Sequence, residues 1–186
     1  MDSGFAPSGA PRNDEMDGFA TERLIAERLR DDHLADLVAL HLDPDVCRYI
    51  GGVRSPEATA AYLATAMAHW DRHGFGLWAL RTHAGDFAGR AGIRHAVVEG
   101  VPEFEILYTL RRELWGRGLA GEIVASLIGI ARSGLGLASL VGLVVVGNDA
   151  SCRVLEKSGF TRERTVLSRG EAVVVYRSAP LILRGS

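Results

Sequence analysis

Apolar and polar positions follow two different periods along the chain, and each period predicts its own elements. Order is expected from about residue 21. Residues 23–30 (RLIAERLR) read as an edge strand, with an ambiguous pattern. Asp31 then stands where a helix cap belongs, and Leu34, Leu37, Val38, Leu40 and His41 share one helical stripe. Asp43-Pro44-Asp45 is a break. Ser55-Pro56-Glu57 predicts a new helix, with Ser at the cap and Pro at the first helical position. That helix runs to about His73 and ends on Gly74. Residues 75–81, 87–95 and 103–110 are strand-like and separated by turn signals such as Ala84-Gly85-Asp86, which predicts an antiparallel meander.

Beyond residue 110 the pattern changes. Leu119, Ile123, Val124, Leu127, Ile128 and Ile130 give residues 118–133 a helical period. Residues 140–146 form an unbroken apolar run rich in Val, fitting a strand buried on both faces. Residues 150–158 read as a short helix ended by Gly159, and residues 161–168 and 172–178 as a hairpin around Arg169-Gly170. The predicted class is mixed α/β (α+β). It has one mostly antiparallel sheet of about six to seven strands, with helices on both faces. The strand at 103–110 crosses through a helix to 140–146, so those two form a parallel pair. Neither a repeat nor a linker divides the chain, so residues 21–186 are read as one domain behind a flexible tail, residues 1–20.

Composition narrows the partners. The chain has 186 residues, 47% hydrophobic and 24% charged, with a formal net charge of -2. That is one ordinary domain, with no electrostatic reason to expect nucleic acid or an anionic membrane. Its apolar runs fall short of the roughly 20 residues of a membrane span. The N-terminal stretch, rich in Gly, Pro, Ser and Asp, lacks the apolar core of a secretion signal. It reads as a loose tail or, alternatively, an arm that folds over a partner subunit; a homodimer is permitted but not indicated. Cys47 and Cys152 match no metal spacing and read as reduced thiols in a cytoplasmic protein.

The first chemical motif is Trp115-Gly116-Arg117-Gly118-Leu119-Ala120, between a strand and an amphipathic helix. Glycines there let backbone N–H groups approach an anion, and the helix start adds unpaired donors and a positive dipole end. Arg117 can add charge. A P-loop is excluded, because Leu119 rather than Lys follows Gly118. Residues 116–121 do fit G-x-G-x-x-G. However, residues 111–114 separate the turn from the strand, and residues 133–146 offer no acid for a ribose, which argues against a dinucleotide. A purely structural turn is the remaining alternative.

The second motif is Asn148-Asp149-Ala150-Ser151, continuing to Lys157-Ser158-Gly159-Phe160 after the buried strand. With the glycine turn upstream and Glu105-Ile106-Leu107-Tyr108-Thr109-Leu110 before it, the chain resembles the GNAT superfamily of N-acetyltransferases. Within it, the opening Thr21-Glu22-Arg23-Leu24 and residues 74–79 (GFGLWA) resemble the subgroup of ribosomal-protein N-terminal acetyltransferases. The resemblance implies a central splayed parallel pair with acetyl-CoA, the acyl donor, between its strands. It implies pantetheine on the backbone of Tyr108, Thr109 and Leu110. It implies diphosphate on the N–H groups of Trp115, Gly116, Arg117, Gly118, Leu119 and Ala120, and Asn148 near the pantetheine amide. No metal is implied.

Acyl transfer to an amine needs a base, an oxyanion donor and a partner for the departing thiolate. Glu105, a carboxylate in an apolar strand where burial raises a pKa, is the candidate base; the competing reading pairs it with Arg90 or Arg94. A backbone N–H of Tyr108 or Leu110 can serve the oxyanion. Ser151 is the candidate partner of the thiolate, or else a residue of the helix start. Relatives carry a tyrosine seven residues after the asparagine as acid, and here that place holds Leu155. Cys152 has no activating His in its motif and reads as a packed thiol. His69 and His73 lie four apart on a helix, without an evident third metal ligand. Trp70, Phe75 and Trp78 are core residues or line an acceptor groove, and Glu99 and Glu103 are solvated or attract a cationic acceptor. The expected function is N-acetyl transfer to a primary amine in a ternary complex. Transfer of a larger acyl group such as succinyl, and a non-catalytic acyl-CoA sensor, are the alternatives.

Overall fold

A computed structural model describes residues 17–168 and 170–181. One mixed sheet of eight strands runs β1-β2-β3-β4-β5-β6-β8-β7, one or two strands more than expected. The strands are β1 (Gly18–Ala20), β2 (Leu24–Arg28), β3 (Leu77–Thr82), β4 (Phe87–Val98), β5 (Val101–Leu110), β6 (Val141–Val145), β7 (Phe160–Ser168) and β8 (Glu171–Ser178). The edge role expected of residues 23–30 falls instead to β1, which pairs with β2. Its Phe19 stacks edge-on against Trp78 at 5.3 Å. Residues 18–20, placed in the tail by the sequence reading, are therefore strand; the remainder of that tail up to residue 16 lies outside the described residues, as does Arg169.

Local chemistry accounts for the helices. A single 3-10 turn, Asp31–His33, leads into α1 (Leu34–Leu42), which buries Leu37, Leu40 and His41. The expected break at Asp43 is itself a cap: its side chain accepts from the N–H of Asp45 and Val46 and starts α2 (Pro44–Cys47). α3 (Pro56–His73) starts and stops as its sequence dictates. Ser55 accepts from Ala58 N–H, and Gly74, at φ 72°, returns its N–H to Trp70. α4 (Leu119–Gly129) ends in a wider π turn over Ile130–Gly134, and α5 (Asp149–Lys157) is capped by Asn148.

The core lies in layers on the sheet. One cluster packs α4 and α5 against the middle strands through Ile123, Val124, Leu127 and Leu155. A second joins α1 and α3 to β3 and β4 through Leu37, Leu40, Leu63 and Ala79. All strand pairs are antiparallel except β5 and β6. Those two share a single register pair, Glu105 with Val141, whereas β4 and β5 share ten. The sheet is therefore split in its interior, and the split is what positions the site.

Candidate active site

The cleft opened by the split has a volume of about 950 Å³. Glu105, Tyr108, Thr109, Asn148 and Ser151 all line it, so five of the residues singled out in the sequence meet in one cavity. The glycine turn does not line it. It stands off the end of β5, after a 3-10 turn at Arg112–Leu114.

The turn has the backbone of an anion cradle. Gly116 and Gly118 hold φ 72° and φ 80°, and Gly118 is the N-cap of α4. The N–H groups of residues 116–120 take no acceptor among the described residues. Trp115 departs from expectation: its N–H already bonds Arg112 O, and its indole Nε1 donates to Leu110 O at 2.9 Å. Trp115 N–H and Leu110 O are therefore engaged within the chain rather than open to a coenzyme. Arg23, which the sequence reading did not place at the site, donates to Arg117 O at 2.8 Å and to Glu122 Oε1 at 2.5 Å. Thr21 reaches the other oxygen of Glu122 at 3.0 Å, so the Thr21–Leu24 opening braces the first turn of α4.

Glu105 is 6% exposed, and its Oε2 accepts from Arg94 Nε at 2.7 Å. The competing reading thus holds for one oxygen; Oε1 has no partner among the described residues. On the opposite wall, Asn148 Oδ1 accepts from the N–H of Ser151 at 3.2 Å. Ser151 is therefore part of the helix start through its backbone, which leaves its hydroxyl for the cleft. Tyr108 Oη is buried beside that hydroxyl without a well-formed hydrogen bond among the described residues, and burial pushes its pKa up to about 12. Its side chain was not among the sequence candidates, because a strand tyrosine carries no motif signal. Leu155 sits where relatives place a tyrosine. It is buried, and a Cβ on Gly142 would come within 2.5 Å of it, so apolar packing takes the place of an acid.

Other expectations resolve into structure. Trp70, Phe75 and Trp78 are buried in the core, and none lines the cleft. Glu103 pairs with Arg177 at 2.6 Å and Glu99 with Arg164 at 2.9 Å, and neither glutamate lines the cleft. Cys152 packs against the core. His69 and His73 do meet a third imidazole, His95, which the sequence reading lacked. Ring nitrogens of the three lie within 4.8 Å of one another, and two of them, His69 and His95, line the cleft. His69 Nδ1 bonds Phe75 O at 2.8 Å, while its Nε2 accepts the backbone N–H of His95 at 3.2 Å. Burial lowers the pKa of both His69 and His95. Among the described residues, no helix is long and apolar enough to cross a membrane.

The model of the acetyltransferase (GNAT) domain matches residues 23–161. A curated relative, the uncharacterized N-acetyltransferase YoaA of Bacillus subtilis, is 29% identical over 146 residues, covering 77% of this chain and 82% of its own. The crystal structure of an acetyltransferase from Agrobacterium tumefaciens superposes with a TM-score of 0.77 at 25% identity, over 96% of this chain and 98% of its own. A ribosomal-protein α-N-acetyltransferase, RimL, solved in complex with coenzyme A, superposes with a TM-score of 0.70 at 18% identity, over 84% of this chain and 94% of its own.

Proposed function

The chain belongs to the GNAT acetyltransferase family, whose chemistry is acyl transfer from an acyl-coenzyme A to an amine, and within that class we propose that it is a cytoplasmic N-acetyltransferase. It would move an acetyl group from acetyl-CoA to a primary amine by direct attack in a ternary complex. One observation carries the reading: the run of unpartnered N–H groups at residues 116–120 stands at the end of β5, where the interior split of the sheet opens. The cradle would take the diphosphate, with Arg23 and Arg117 beside it. Pantetheine would lie between β5 and β6 and supply the rungs that those strands do not give each other. Kinship with ribosomal-protein N-terminal acetyltransferases is part of the proposal and rests on the Thr21–Leu24 opening, which here has a structural task. Cytoplasmic residence rests on the unpaired Cys47 and Cys152.

The proton chemistry follows from the two walls. Glu105 lines the cleft, and Arg94 holds its Oε2, so Oε1 is the oxygen left free to act. In this reading it accepts the ammonium proton, directly or through water. The thioester oxygen takes a backbone N–H from the β5 segment Tyr108–Leu110 as charge develops on it. The departing sulfur meets Ser151 Oγ and Tyr108 Oη. A phenol near pKa 12 is a weaker acid than a thiol near 8.5, so Tyr108 stabilises the thiolate by donating a hydrogen bond rather than by giving up its proton.

Calorimetric titration of the full chain with acetyl-CoA tests the reading. Binding is expected well below about 100 μM, within the usual range of coenzyme use, and its absence at that concentration overturns the proposal. Gly118→Val places a β-branched residue at φ 80° in the cradle and should abolish the binding. Succinyl-CoA measured alongside distinguishes transfer of a larger acyl group.

A further inference from the structure

The acceptor side of the cleft carries more positive charge than its surroundings balance. Arg54, Arg90 and Arg94 all line it. Glu105 matches Arg94 through their 2.7 Å ion pair, and the other carboxylate of the lining, Glu171, is exposed to solvent. Arg90 is 3% exposed, and its Nε and Nη1 are buried without a partner among the described residues. Arg54 Nη1 and Tyr62 Oη are buried and unpartnered in the same way. The Arg90 and Arg54 guanidinium carbons lie 4.9 Å and 5.4 Å from the Tyr62 ring centre, so all these atoms gather about one ring.

The Glu105 carboxylate favours the Arg90 charge, but among the described residues it forms its ion pair with Arg94 and none with Arg90. His41, edge-on to Tyr62 at 5.1 Å, is held neutral: burial, then the Arg90 and Arg54 charges, lower its pKa to about 3. Burial also pushes the Arg90 guanidinium below its ordinary value, yet a guanidinium in a protein keeps its proton. A buried cation with open donors is costly until an anion fills them.

We infer that the acceptor amine bears an oxyanion, a carboxylate or a phosphate, that docks on Arg90, Arg54 and Tyr62 while its amine lies toward Glu105. The inference rests on the acyl-transfer reading above. Arg90 pairs across to Thr109 and Arg94 to Glu105, so both arginines stand on one face of β4. Four residues along a strand span about 13 Å, which sets the oxyanion and the amine at separate ends of one acceptor. A polyamine would bring a second ammonium against these guanidinium groups and is disfavoured.

The test compares matched amines that differ by the acid, on the full chain saturated with acetyl-CoA. 8-Aminooctanoate against octylamine reads a carboxylate, and 6-aminohexyl phosphate against 6-aminohexan-1-ol reads a phosphate; each acid-bearing probe extends over roughly 11 Å, close to the strand spacing of its two anchors. At millimolar concentration one acid-bearing member should raise Tm by several degrees while its neutral twin does not, and the arm that responds identifies the oxyanion. Arg90→Met should remove that shift. In anion-free buffer the same variant, similar in volume and without charge, should raise Tm by about 3 °C or more. Two results overturn the inference: no acid-bearing amine separates from its twin in the parent chain, or Arg90→Met lowers Tm in anion-free buffer. Failure of acetyl-CoA to bind overturns the acyltransferase reading instead. The pairs are then compared on the unloaded chain, where the same two results decide the oxyanion site.

Discussion

At the scale of single residues, two buried groups give measurable consequences. His41 has a folded-state pKa lowered from 6.5 to about 3, chiefly by burial. The unfolded chain therefore takes up this proton first. Its contribution to stability is complete above pH 6.5 and is lost as pH falls toward 3, at about 1.4 kcal/mol per unit. The His41 ring meets the buried Thr59 hydroxyl through Nδ1 at 3.2 Å. Urea unfolding at a series of pH values should show that slope, and His41→Asn, which keeps a partner for Thr59, should flatten it. Tyr108 is expected to act on the leaving sulfur, so Tyr108→Phe should lower kcat by about tenfold to a hundredfold with little change in acetyl-CoA affinity, a loss of about 1.4–2.7 kcal/mol from the transition state. Because the phenol pKa is near 12, the parent chain shows no tyrosine limb between pH 6 and 9. A loss of affinity equal to the loss of kcat would mean that Tyr108 shapes the cleft instead. The role was illegible in the sequence because the expected tyrosine has a fixed place seven after Asn148, and a hydroxyl arriving from another strand leaves no such mark.

At the scale of elements, what could be read depended on whether the signal was local. α3 was legible at both ends, since Ser55, Pro56 and Gly74 each act on backbone within one turn. β1 was not, because a strand of three residues has no period to count and is held by Phe19 packing on Trp78. The brace on α4 is another long-range element, joining Thr21 and Arg23 to Glu122 across about a hundred residues of chain. Arg23 is 46% exposed, so its ion pair stabilises the fold by less than about 1 kcal/mol. Its larger effect should fall on the cradle, whose Arg117 carbonyl it holds. Arg23→Ala is thus expected to weaken acetyl-CoA binding at least tenfold by calorimetry while leaving Tm of the unloaded chain nearly unchanged. Equal losses in both would make the brace structural.

At the scale of the whole molecule, the sheet is two antiparallel blocks, β1–β5 and β6–β8, joined by a single parallel rung. The order of elements and the parallel pair were legible because apolar runs and turns record them. The acceptor side was not, since Arg54, Tyr62, Arg90 and Arg94 come from a loop, a helix and a strand, and a buried arginine reads in sequence like a solvated one. If coenzyme spans the blocks, saturation should stabilise the chain by about 2.7 kcal/mol at a hundred times Kd, and hydrogen exchange of β6 should slow as much as that of β5. Slowing confined to the cradle would mean that the coenzyme touches one block. The position of the split has a last consequence. Strand edges with open hydrogen-bonding groups invite intermolecular pairing and aggregation when they lie at a sheet margin. Here they face each other within the sheet, with α4 and α5 packed against its middle strands, so the unloaded protein can keep this slot open without offering neighbouring molecules a template.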